Sequence, residues 1–119
     1  MTGPIRWGIL GVGGIAHKFA EQLRQTKSGV LHAIGSRTPD KAARFAADFS
    51  AAVHGDYEAV LKSDVEAVYI ALPNALHHPW SIHALGAGKH VLCEKPLAAN
   101  AQQAEEMFAA AERNQRTND

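Results

Sequence analysis

Six residues near the N-terminus, Gly11-Val12-Gly13-Gly14-Ile15-Ala16, limit the fold more than any other stretch of this sequence. They follow a short apolar run, Ile5 to Leu10, which reads as a buried parallel strand. They open a segment in which Ile15, Phe19, Ala20 and Leu23 recur at helical spacing, up to about Lys27. A strand that turns sharply into a helix on a G-x-G-x-x-A pattern is the phosphate-binding turn of dinucleotide-binding domains. Gly11 permits the tight turn, Gly13 lets the backbone approach a pyrophosphate with no Cβ in the way, and Ala16 lets the helix pack close to the sheet. Gly14 and Ile15 lie in the first helical turn, whose unpaired N–H groups and partial positive charge suit a phosphate. The competing reading is a merely structural turn, which seldom needs two glycines and a small third residue.

The rest of the chain alternates strand and helix. Val30 to Gly35 reads as a second strand, and Thr38-Pro39-Asp40 as the start of a second helix, with Thr38 as its cap and Ala42, Phe45, Ala46 and Phe49 facing inward. Ala51 to His54 is a short third strand, followed by a helix from Asp56 to Leu61. Ala67 to Leu72 is a fourth strand stopped by Pro73-Asn74, and a helix from Pro79 to Ala87 ends at Gly88. His90 to Cys93 is a fifth strand, and Asn100 with Gln103 starts a last helix reaching about Arg113. This order predicts an α/β fold: a doubly wound parallel sheet of the Rossmann type, with five strands flanked by helices.

Composition sets the bounds. The 119 residues fit one domain, and 46% hydrophobic residues supply one core. Twelve basic residues balance twelve acidic ones, so nothing in the charge draws the chain to nucleic acid or anionic lipid. The single cysteine, Cys93, excludes an intrachain disulfide, and no apolar window approaches the ~20 residues of a membrane span. The expectation is a cytoplasmic protein without a nucleic-acid or membrane partner. His77 and His78 are adjacent and point apart, so no metal site is expected there.

The end of the second strand speaks to the choice of nucleotide. NAD-binding domains usually place a carboxylate here to hold the adenosine ribose, where this chain has Gly35-Ser36-Arg37. Ser36 can donate to a 2′-phosphate, Arg37 can form a bidentate charged pair with it, and Lys41 adds a second cation one turn into the next helix. The plainer reading makes Ser36 a turn cap and Arg37 a solvated charge. The pattern favours NADP(H), with NAD(H) as the second candidate.

Two later segments carry a family resemblance. Ala71-Leu72-Pro73-Asn74-Ala75-Leu76-His77 and Ala87-Gly88-Lys89-His90-Val91-Leu92-Cys93-Glu94-Lys95-Pro96 resemble the Gfo/Idh/MocA oxidoreductases, and the likeness runs from Ile5 to about Arg113. The resemblance implies that Leu72, Pro73, Asn74 and His77 line the cofactor and that Glu94 lies near the nicotinamide ribose. It implies that Lys95 sits at the reaction centre, contacting substrate and cofactor, and that Pro96 shapes that turn. It also implies a substrate class of sugars, inositols, dihydrodiols and related compounds.

The family's C-terminal substrate domain, with its acid/base histidine, has no counterpart in this sequence. The expectation is therefore a domain that binds dinucleotide but lacks substrate turnover on its own. The alternatives are an oxidoreductase active as an oligomer or with a partner chain, and a nucleotide sensor or scaffold. A fifth strand left at the sheet edge near Val91 and Leu92, or apolar surface that a second domain would cover, further suggests a homodimer.

Overall fold

The computed structural model describes residues 4–92. Within them, strands and helices alternate: β1 (Ile5–Leu10), α1 (Gly14–Arg24), β2 (Gly29–Gly35), α2 (Pro39–Phe49), β3 (Val53–Gly55), α3 (Tyr57–Lys62), β4 (Ala67–Ile70), α4 (Asn74–Gly86) and β5 (His90–Leu92). The five strands form one parallel sheet in the order β3-β2-β1-β4-β5. The chain leaves β1 in one direction to build β2 and β3, then crosses back to build β4 and β5. The strand order thus reverses between β1 and β4, where open α/β sheets form their ligand crevice.

Strand alternation divides the apolar residues between two faces. Trp7, Ile9, Ile34, Ala67 and Tyr69 pack on one side with Phe19 and Leu23 of α1 and Phe45 of α2. Leu10, Ala33, Val68 and Ile70 pack on the other with Val60 and Leu61 of α3 and Ala84 of α4. The first core is organised by rings. Phe19 stacks on Tyr69 at 4.1 Å between centroids, and Trp7 meets Phe19 edge-on at 5.2 Å.

Helix ends follow local chemistry. The Asp56 carboxylate caps α3, accepting the Ala59 N–H at 2.9 Å. Gly88, at φ +83°, closes the turn after α4 as a glycine past a helix end should. Thr38 precedes α2, with Pro39 at its first position, but the Thr38 side chain caps nothing; its N–H donates instead to Ser36 Oγ at 3.0 Å.

Several boundaries differ from those read in the sequence. The fourth helix starts at Asn74, not Pro79, because Pro73 with extended ψ already breaks the strand and Pro79 is carried inside the helix. Pro79 is the sixth residue of α4, past the N–H groups that lack partners at a helix start, so it gives up the bond its N–H would make to the Ala75 carbonyl. The first helix stops at Arg24, short of Lys27, and β4 stops at Ile70, short of Leu72. The third strand runs Val53–Gly55. Cys93 and the last helix lie outside the described residues.

Phe19 is 1% exposed and touches both Trp7 and Tyr69. Phe19→Ala should therefore cost about 3–5 kcal/mol, a large part of a small domain's stability. Urea denaturation should show a lowered midpoint at an unchanged slope.

Candidate nucleotide-binding site

The site is built where three strands end side by side. Because β2 and β4 flank β1, the turn after β1 lies between the ends of the other two, each about 5 Å away. Backbone bonds fix this spacing: Gly11 N–H donates to Gly35 O at 2.8 Å, and Ala71 N–H donates to Leu10 O at 2.9 Å. Gly11 has φ +111°, and a Cβ there would collide with the carbonyl oxygen of Ala71. Only glycine satisfies both demands. Ala16, fully buried on α1, fills its expected place at the helix–sheet contact.

Gly13 and Gly14 are glycine for another reason. Gly13 has φ −81° and ψ −167°, which any residue adopts, and a Cβ at either position would meet no atom of the described residues within 4 Å. Neither the backbone nor the packing requires glycine there. Open space is left beside the turn, where a ligand could approach the backbone. The N-terminus of α1 matches that reading: it has no side-chain cap and no acidic residue in its first turn, and His17 N–H to Gly13 O at 3.0 Å is its first turn's closing bond. The amides of Gly14 to Ala16 thus precede the first intrahelical bond, and point outward with the positive end of the helix dipole. Ile15, 45% exposed, stands beside them.

At the end of β2, Ser36 is buried and its N–H donates to Gly55 O at 3.0 Å. Its hydroxyl oxygen accepts the Thr38 N–H, so the turn-cap reading holds. That bond also leaves the hydroxyl proton available to an outside acceptor. Arg37 and Lys41 are exposed, and among the described residues neither forms an ion pair. At the end of β4, Leu72 is buried, Pro73 is exposed, and Asn74 begins α4 with His77 half-buried in its first turn. Ser36 and Arg37 follow β2 and Leu72 to Asn74 follow β4, so the topology brings these positions to the same edge of the sheet as the glycine turn. Glu94, Lys95 and Pro96 lie outside the described residues. No group of three or more His, Cys, Asp or Glu side chains suited to a metal ion occurs among the described residues. None of the described helices is long and apolar enough to cross a membrane.

One residue had no role in the sequence reading. Lys89 Nζ reaches the carbonyls of Ser63 and Val65 at 3.0 and 2.9 Å, tying the start of β5 to the α3–β4 connection. Its partners lie some two dozen positions upstream, and no local pattern signals them.

Residues 5–118 match the model of an oxidoreductase family described by its NAD-binding Rossmann fold. The chain is 42% identical to a scyllo-inositol 2-dehydrogenase (NADP(+)) from Bacillus subtilis, over 92% of this chain and 34% of that protein. It is 44% identical to a 3-ketoreductase from Actinomadura kijaniata crystallised in complex with NADP, with a TM-score of 0.73 over 92% of this chain and 36% of that one. A scyllo-inositol dehydrogenase from Lactobacillus casei matches at 29% identity and TM-score 0.73, over 82% of this chain and 30% of that one. The chain thus spans about a third of the length of these relatives. The glycine turn at the strand reversal, the two later motifs and a family match over nearly every residue agree: the chain belongs to the Gfo/Idh/MocA oxidoreductase family, as an NAD-binding Rossmann fold.

Proposed function

We propose that this chain is an NADP(H)-binding domain that holds the dinucleotide across the ends of β1, β2 and β4. The observation that carries this reading is the pair of open glycines before an uncapped helix. In this reading Gly11 sets the turn, and the amides from Gly13 to Ala16 receive the pyrophosphate. The Ser36 hydroxyl, the Arg37 guanidinium and the Lys41 ammonium receive the 2′-phosphate. A carboxylate at this point would repel that group, and none is present in Gly35-Ser36-Arg37. Both NADP-linked relatives support the choice of nucleotide.

When bound, the nicotinamide supplies or accepts a hydride. Following the family resemblance, Leu72, Pro73, Asn74 and His77 line its path, Glu94 stands near its ribose and Pro96 shapes the turn. Lys95 holds a substrate oxygen and stabilises charge developing there. The relatives' names point to a cyclic polyol or keto-sugar as substrate. These 119 residues correspond to only about a third of those proteins. On their own they bind nucleotide without a closed substrate pocket, and positioning of the reacting carbon is lost.

Two expected outcomes test this reading. By calorimetry, NADPH should bind more tightly than NADH. Arg37→Ala should weaken NADPH binding about 10- to 100-fold, for the loss of ~1.5–3 kcal/mol in charge-assisted hydrogen bonds, and NADH binding far less. Equal losses for both nucleotides would remove Arg37 from the 2′-phosphate site. The glycines separate folding from binding. Gly13→Ala should leave stability unchanged or raise it by about 0.4–1 kcal/mol while NADPH affinity falls tenfold or more, whereas Gly11→Ala should lower stability itself. Thermal melts beside the titrations check both, and a Gly13→Ala protein that binds NADPH normally would contradict the proposed pyrophosphate seat.

A further inference from the structure

Helices α1 and α2 both begin at the crevice edge of the sheet, and their first turns are opposites. The first turn of α1 has no acid and leaves the amides of Gly14 to Ala16 open. The first turn of α2 holds Asp40 and has few amides to offer. The Thr38 N–H is spent on Ser36 Oγ at 3.0 Å, and Pro39 has no N–H. The Lys41 and Ala42 N–H groups both donate to Thr38 O, at 3.1 and 3.2 Å. At most the Asp40 amide is left for an anion. A 2′-phosphate at this point must therefore be held by side chains, and one side chain beside it is itself negative.

Asp40 is exposed, and among the described residues its carboxylate forms neither an ion pair nor a hydrogen bond. Arg44 stands one turn further along α2, at the spacing of a helical charge pair, and does not close on it. Three Cα–Cα steps of ~3.8 Å separate Asp40 from Arg37, so the two backbones lie within ~11 Å of each other. That is about one Debye length at 0.1 M salt. An anion held by Arg37 feels this charge.

We infer, on the reading that Ser36, Arg37 and Lys41 receive a 2′-phosphate, that Asp40 is a specificity-determining residue of the nucleotide site. Its charge holds down the preference for NADP(H) and keeps NAD(H) a usable ligand. NADP(H) brings to this point a phosphate of about two negative charges at neutral pH, which NAD(H) lacks. The carboxylate repels that group and has nothing to repel in its absence. A unit charge ~8 Å from such a phosphate in water alters its binding about two- to fivefold. The same carboxylate suits the positive end of the α2 dipole, so the charge that weakens the phosphate site also steadies the helix beside it.

Calorimetric titrations with NADPH and NADH, at about 0.05 M and about 0.5 M salt, read this directly. At low salt Asp40→Asn should tighten NADPH binding about two- to fivefold and Asp40→Lys should tighten it further, with NADH binding changed far less. Asp40→Glu, which keeps the charge, should keep the wild-type ratio of the two affinities. The gains should shrink at high salt. A general loss of helix stability would instead move both nucleotides alike and would not follow salt, and circular dichroism confirms that each variant is folded. Wild-type ratios in Asp40→Asn and Asp40→Lys, with Arg37→Ala still weakening NADPH selectively, would overturn the role of Asp40 and leave the 2′-phosphate site standing. Equal losses of both nucleotides in Arg37→Ala, or no NADPH binding by the folded wild type, would remove the site and the role of Asp40 with it.

Discussion

The placement of Gly11 against the carbonyl of Ala71 is the constraint on which the rest of the site depends. The first strand can turn into its helix at the centre of the sheet only if the backbone takes a left-handed step where a side chain has no room. That step brings the start of α1 over the gap between β2 and β4. The Gly11–Gly35 and Ala71–Leu10 hydrogen bonds then hold three strand ends in register. Everything proposed for nucleotide binding among the described residues lies on those three ends or in the first turn of the helix that follows each.

The two cores make this placement rigid. Trp7, Phe19 and Tyr69 lock α1 onto one face of β1 and β4 by ring contacts, while Val60 and Leu61 of α3 pack on the other. The helix whose N-terminus faces the crevice is thus anchored by its own buried stripe, Ala16, Phe19, Ala20 and Leu23. Binding groups on a fixed scaffold lose little freedom when a ligand arrives, which favours affinity. Arg37 and Lys41 lie exposed beyond β2, without an ion-pair partner among the described residues.

Much of this was legible in the sequence because its signals are local. Strand-to-helix turns announce themselves by glycine spacing, and the inner faces of α1 and α2 by apolar periodicity. The start of α4 was misplaced because Pro79 resembles a helix opener, whereas Pro73 had already ended the strand and the helix carries Pro79 inside it. Thr38 resembles a cap, but Ser36 supplies the hydroxyl that the turn uses. Lys89 was silent because its carbonyl partners come from a distant loop. The difference between Gly11, required by the fold, and Gly13, not required by it, emerges only once the surroundings of each Cβ are known.

The central claim is that the dinucleotide lies across the ends of β1, β2 and β4. Amide chemical-shift mapping during an NADPH titration tests it most directly. The account predicts that the largest shifts fall on Val12 to Ala16, Ser36 to Thr38 and the start of α4, with α3 and the outer end of α4 unmoved. Shifts centred elsewhere on the sheet, or none at saturating NADPH in a folded protein, would contradict it.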